Sequence, residues 1–174
     1  MKRIALVILI LIVTTGVTAA GRQTILYAEK GGEQLYLDHY PAINTEGARP
    51  CVIFAFGGGF VRGDRAHKDY ASYFQSLIEA GYDVVSIDYR LGLKNPPKGI
   101  GVRDMISLMK RSVDYAAEDL MSATRFVLDH AAEWNIDPTK IVVSGSSAGA
   151  IATLQAENYI CNGDERATKI LGDY

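Results

Sequence analysis

The stretch Ile141–Ala150, IVVSGSSAGA, decides how the rest of the chain is read. Ile141, Val142 and Val143 are β-branched and apolar without interruption, the pattern of a strand covered on both faces. Gly145-Ser146-Ser147-Ala148-Gly149 follows at once, and a helix-forming segment begins beyond it. A G-x-S-x-G sequence between strand and helix requires a sharp turn, with the serine at its apex in a strained backbone conformation. Gly145 and Gly149 must be small because strand and helix pass close together there. The turn also aims the helix N-terminus, with its unpaired N–H groups and partial positive charge, at whatever the serine faces. A chain of this composition yields roughly 0.08 chance matches to the pattern. The plainer alternative is a serine that merely caps an ordinary helix. Ser147 is the candidate nucleophile, and the N–H of Ala148 a candidate donor beside it.

Upstream, a second feature fits the same chemistry. The apolar run Cys51–Phe56 predicts a buried strand, and Gly57-Gly58-Gly59 ends it. Adjacent glycines let backbone N–H groups face a cavity unobstructed. Acyl transfer needs such donors for the oxyanion of its tetrahedral intermediate. Gly58 and Gly59 are assigned that role with Ala148; alone, the run reads equally well as a flexible turn. A phosphate-binding loop is excluded, since Asp64-Arg65 follows Gly63 where Lys and Ser or Thr are required.

Around these motifs the periodicity predicts a hairpin with its turn at Gly31-Gly32, and a helix carrying Tyr70, Tyr73, Phe74, Leu77 and Ile78 that stops at Gly81. A strand DVVSIDY, a Pro/Gly loop, a long helix reaching about Trp134, an Asp137-Pro138 turn and the strand KIVVS follow. Alternating strands and helices predict an α/β fold, a mainly parallel sheet with helices on both faces.

The 174 residues suffice for one domain with a real core, and 48% hydrophobic with 22% charged residues excludes wholesale disorder. A net charge of −2 gives no reason to expect nucleic acid as partner. Residues 1–20 form a separate unit: Lys2 and Arg3, the apolar run Ile4–Val13, then small Thr18-Ala19-Ala20. This is the pattern of a secretory signal peptide, implying a secreted or periplasmic protein with residues 21–174 as its domain. An N-terminal membrane anchor is the alternative, although Thr14, Thr15, Gly16 and Thr18 interrupt the run before spanning length. Cys51 and Cys161 are expected as two free, buried thiols, and no clustered His/Cys/Asp pattern suggests a metal or other cofactor.

FGGGF after the third strand, SIDYR after the fourth and the segment from Ala116 through the elbow to Ala150 resemble the α/β-hydrolase superfamily. Within it, the hormone-sensitive-lipase-like carboxylesterases and their exported carbohydrate-esterase relatives are the nearest in pattern. The resemblance spans roughly Gln23 to Ile160. It implies a serine esterase acting through an acyl-enzyme on a small-molecule or carbohydrate ester, without cofactor. It also implies the N-terminal portion of that fold, about strands 1–5, in the spatial order 1-2-4-3-5. The family has His before the three glycines, where this chain has Phe56, a change that bears on loop rigidity. The triad order Ser, acid, His places the acid and histidine after Ser147, yet no histidine follows it. Glu157, Asp164, Glu165 and Asp173 do not match the acid's position, and the tail CNGDERATKILGDY reads as a connection toward a sixth strand. The chain is therefore expected to be catalytically incomplete by itself, with a non-catalytic, ligand-binding hydrolase-like protein as the alternative. Asp88 and Arg90 are expected to be structural, Asp119 solvated or locally paired, and His39 and His130 remote from the elbow. His67 lies nearest the site mouth, as a surface histidine opening a helix.

Overall fold

The computed structural model describes residues 21–43 and 45–172, so the expected leader, residues 1–20, lies outside it. Strands β1 (Gln23–Lys30) and β2 (Glu33–Tyr40) form the hairpin. Gly31 and Gly32 take φ values of 59° and 79°, the two consecutive positive angles that let a two-residue turn follow the strand twist. Strands β3 (Arg49–Ala55), β4 (Asp83–Ile87) and β5 (Ile136–Gly145) complete a five-stranded sheet in the order β1-β2-β4-β3-β5. β3 runs parallel to β4 and β5, whereas β2 is antiparallel to β1 and β4. The sheet is thus mixed, with the parallel part carrying the glycine run and the elbow. β5 stands at its edge.

Alternation along β3 separates the two faces. Phe54 meets the rings of Tyr70, Tyr73 and Phe74, placing helix α1 (Ala71–Glu79) on one side. The backbone of Ala55 touches helix α3 (Ala148–Cys161), which packs with the long α2 (Val102–Trp134) on the other. Helix α2 buries Ala116, Leu120, Ala123, Val127 and Ala131, a stripe at three- and four-residue spacing. It ends at Asn135, whose φ of 56° is the left-handed closure that asparagine tolerates. No described helix is long and apolar enough to cross a membrane.

Several expectations are corrected. Asp137-Pro138 is a bulge inside β5 and not a turn ahead of it, because Arg49 pairs with Ile136 and Cys51 with Ile141. The tail, read as a connection toward a sixth strand, contains a helix that this reading does not mention and that does not conflict with it, α4 (Glu165–Leu171), capped by the Asp164 carboxylate accepting from Arg166 N at 2.9 Å. Cys51 is buried, but Cys161 is exposed at the end of α3; both thiols are free. Asp119 is neither solvated nor locally paired: fully buried on α2, it accepts from Arg90 N at 2.8 Å and Arg90 Nη2 at 2.8 Å. Lys30 Nζ approaches it at 3.3 Å. Its partners come from β1 and from beyond β4, far away in sequence.

Candidate active site

Ser147 leaves β5 with φ 49° and ψ −112° and is exposed, at the N-cap position of α3. Its side chain makes no capping hydrogen bond, so it is not an ordinary helix cap. The flanking glycines explain the turn. A Cβ on Gly145 would collide with the Gly149 carbonyl carbon, and one on Gly149 would collide with Ala55 O. No larger residue fits where α3 crosses the strand ends. Ser146 N donates to Ala55 O at 3.0 Å and Gly149 N to Ser146 O at 2.8 Å, pinning the elbow to the end of β3.

The glycine run starts against that elbow. A Cβ on Gly57 would stand 3.2 Å from the Cβ of Ser147. Gly58 has φ 141°, and its carbonyl accepts from Val61 N and Arg62 N in a tight reversal. Gly59, at φ 66°, is exposed with open space around it. The N–H groups of Gly58 and Gly59 have no backbone acceptor among the described residues. The N–H of Ala148 opens α3 and so has no acceptor within its own helix. Phe56, at the position where the resemblance has histidine, is buried and stacks on Tyr89 with ring centroids 4.4 Å apart. Gly63 closes over it: a Cβ there would fall 2.6 Å from both the Phe56 ring and Gly57 O. Packing thereby holds the loop that a histidine does not.

The histidines are distributed as follows. His67 caps the turn Lys68–Tyr70, its Nδ1 accepting from Asp69 N at 3.4 Å. With Gly57, Gly58, Arg62 and Tyr70 it rims a cavity of about 170 Å³. His39 is buried and bonded to Asp83 at 2.7 Å, near the start of β4 and away from the elbow. His130 bonds Phe126 O within α2. Among the described residues none is hydrogen-bonded to Ser147. Asp88 and Arg90 are engaged structurally: Arg65 Nη1 donates to Asp88 at 2.5 Å, and Arg90 grips Asp119 and Glu118. Burial pushes the Asp88 carboxyl above its ordinary range despite the opposing Arg65 charge. Of the later carboxylates, Glu157 accepts from Cys161, and Asp164 pairs with Arg166, whose hydrogen bonds hold the Asp164 carboxyl pKa down at about 2.

Nothing in the sequence pointed to Arg65. Its guanidinium spans Asp38 on β2, at 3.1 Å, and Asp88, while its carbonyl accepts from Ser86 Oγ at 2.8 Å. The loop after the glycines is thereby fastened to the sheet.

Residues 37–160 match the family model BD-FAE. The chain belongs to the BD-FAE family. This is a hormone-sensitive-lipase-like α/β-hydrolase family, as the motifs implied. Among similar proteins, the probable isoprenylcysteine alpha-carbonyl methylesterase ICMEL1 of Arabidopsis thaliana is 33% identical over 129 residues, 74% of this chain and 23% of that protein. Esterase LipI of Mycobacterium tuberculosis is 33% identical over 109 residues, 63% of this chain and 29% of its own length. Of solved structures, Thermogutta terrifontis esterase 2 phosphorylated by paraoxon superposes with TM-score 0.60 at 28% identity, covering 78% of this chain and 47% of the esterase. This BD-FAE chain therefore spans about a quarter of those curated relatives and under half of the solved esterase.

Proposed function

We propose that the chain carries the nucleophile and oxyanion donors of a carboxylesterase-type hydrolase. Ser147 Oγ attacks the ester carbonyl, the N–H groups of Gly58, Gly59 and Ala148 receive the oxyanion, and collapse expels the alcohol to leave an acyl-enzyme. Water then releases the acid. The observation that carries this reading is the backbone of Ser147, held at φ 49° where strand and helix meet through two glycines. A serine hydroxyl needs an adjacent base to act as a nucleophile at neutral pH. Since no described histidine is bonded to Ser147, we assign the base to residues outside those described.

The test measures p-nitrophenyl acetate hydrolysis and fluorophosphonate labelling for three proteins: this chain, its Ser147→Ala variant, and the product of the whole open reading frame. Loss of the base in a related triad lowers turnover by about 10⁶-fold. Ser147-dependent turnover is therefore expected only from the whole product. Robust turnover by the 174-residue chain would overturn the assignment of the base, and an inert whole product would overturn the esterase reading in favour of a ligand-binding one.

A further inference from the structure

The peptide unit joining Phe56 to Gly57, immediately ahead of the proposed donors, is held at both polar ends by tyrosine hydroxyls. Tyr89 Oη donates to Phe56 O at 2.7 Å, and Gly57 N donates to Tyr70 Oη at 3.0 Å. The N–H and C=O of a trans peptide point in opposite directions in one plane. Two such bonds therefore fix both the tilt of that plane and its rotation.

The phenols are themselves packed against other rings. Tyr89 is buried, stacked on Phe56 and set edge-on to Phe60. Burial holds its hydroxyl above the ordinary tyrosine range, so it remains a protonated donor. Tyr70 stands edge-on to Phe54 at 4.7 Å and lies against Phe74. The next peptide is constrained in turn. Gly57 O faces Gly63, where a Cβ would come within 2.6 Å, so the N–H of Gly58 is turned away from Gly63. The clamped carbonyl also supports the elbow, since a Cβ on Gly149 would lie 2.6 Å from Phe56 O.

We propose that Tyr70 and Tyr89 are positioning residues, a two-point clamp that aims the glycine N–H groups at the oxyanion through the Phe56–Gly57 peptide. They touch no reacting atom. The inference rests on the reading of Gly58 and Gly59 as oxyanion donors, and its test separates the two ideas.

The product of the whole open reading frame, labelled with ¹⁵N-glycine, is compared with its Tyr70→Phe, Tyr89→Phe and Tyr27→Phe variants. Tyr27 is the control, because its hydroxyl donates to Asp88 O at 2.6 Å and to no atom of the glycine run. Tyr70→Phe should speed hydrogen exchange at Gly57 N by about tenfold, the loss of one hydrogen bond. Both clamp variants should move the Gly58 and Gly59 amide resonances and slow fluorophosphonate reaction at Ser147 by about tenfold or more. Tyr27→Phe should lower the melting temperature and do neither. Unmoved Gly58 and Gly59 amides in both clamp variants, or equal effects from Tyr27→Phe, would overturn the clamp. If Ser147 of the parent protein does not react at all, the glycine amide shifts alone settle whether the clamp exists. If Tyr89→Phe does not fold, Tyr70→Phe, which loses one oxygen from a half-buried ring, decides it.

Discussion

At Ser147 the backbone occupies a sparsely populated region, a conformation that costs about 1–3 kcal/mol and persists only where its surroundings impose it. Glycine carries much less of that cost. Ser147→Gly should therefore raise stability by about 1 kcal/mol in urea unfolding, and in the whole open-reading-frame product it should abolish fluorophosphonate labelling. The neighbouring glycines are not equivalent. Gly149→Ala drives a methyl into Ala55 O and should prevent folding, whereas Gly59→Ala meets open space at φ 66° and should cost only about 1–2 kcal/mol. Circular dichroism melts of the two variants test this contrast. The elbow was legible in sequence because its parts are adjacent and each has a local steric reason. The tyrosine clamp and Arg65 were not, since a phenol or guanidinium reaching across 13 to 33 residues leaves no mark on local periodicity.

Strand β5 and helix α3 leave large apolar side chains uncovered. Val142 on the edge strand is 53% exposed, and Ile151 and Leu154 on α3 are 50% and 71% exposed. An apolar edge with unpaired backbone groups templates association with further chains. The polypeptide should thus self-associate in sedimentation velocity, and Val142→Lys with Leu154→Lys should shift it toward monomer. A monodisperse parent protein at tens of micromolar would contradict the expectation. Strands and long helices announced themselves through unbroken apolar runs and three- to four-residue spacing. The short α4 did not, because seven residues hold too few turns for a stripe to stand out, and only its Asp164 cap signals it. The bulge at Asp137 was equally hidden, being fixed by pairing with β3 and not by composition.

Across the whole molecule, the end of the sheet away from the elbow is tied by one buried carboxylate. Asp83 accepts from His39 Nε2 at 2.7 Å, Arg49 Nε at 2.6 Å and Ala42 N at 2.9 Å. Arg49 continues to Trp134 O at 2.6 Å, so β2, β3, β4 and α2 meet there. Burial alone would raise the Asp83 carboxyl, but these bonds outweigh it and hold the group below its ordinary value. A carboxyl depressed in the folded state stabilises the fold above its unfolded value, and that contribution disappears as pH falls through the folded value. Melting temperature should accordingly drop as pH falls below about 4, and less steeply in Asp83→Asn. Arg49→Ala leaves the charge underpaired and should cost about 3–5 kcal/mol at neutral pH. The burial of Asp119 belongs to this scale too: its partners converge only once the hairpin, β4 and α2 have assembled, which no reading of α2 by itself discloses.

The unequal thiols make the protein addressable. Burial keeps Cys51 protonated and out of reach, while Cys161 stands in solvent, its thiol raised more mildly by the Glu157 carboxylate. A maleimide dye at slightly alkaline pH will attach at one place only. That place lies at the far end of α3, about 20 Å along a rigid rod from Ser147. A second dye on a Ser147→Cys variant would turn the helix into a molecular ruler, its calibration fixed by the fold.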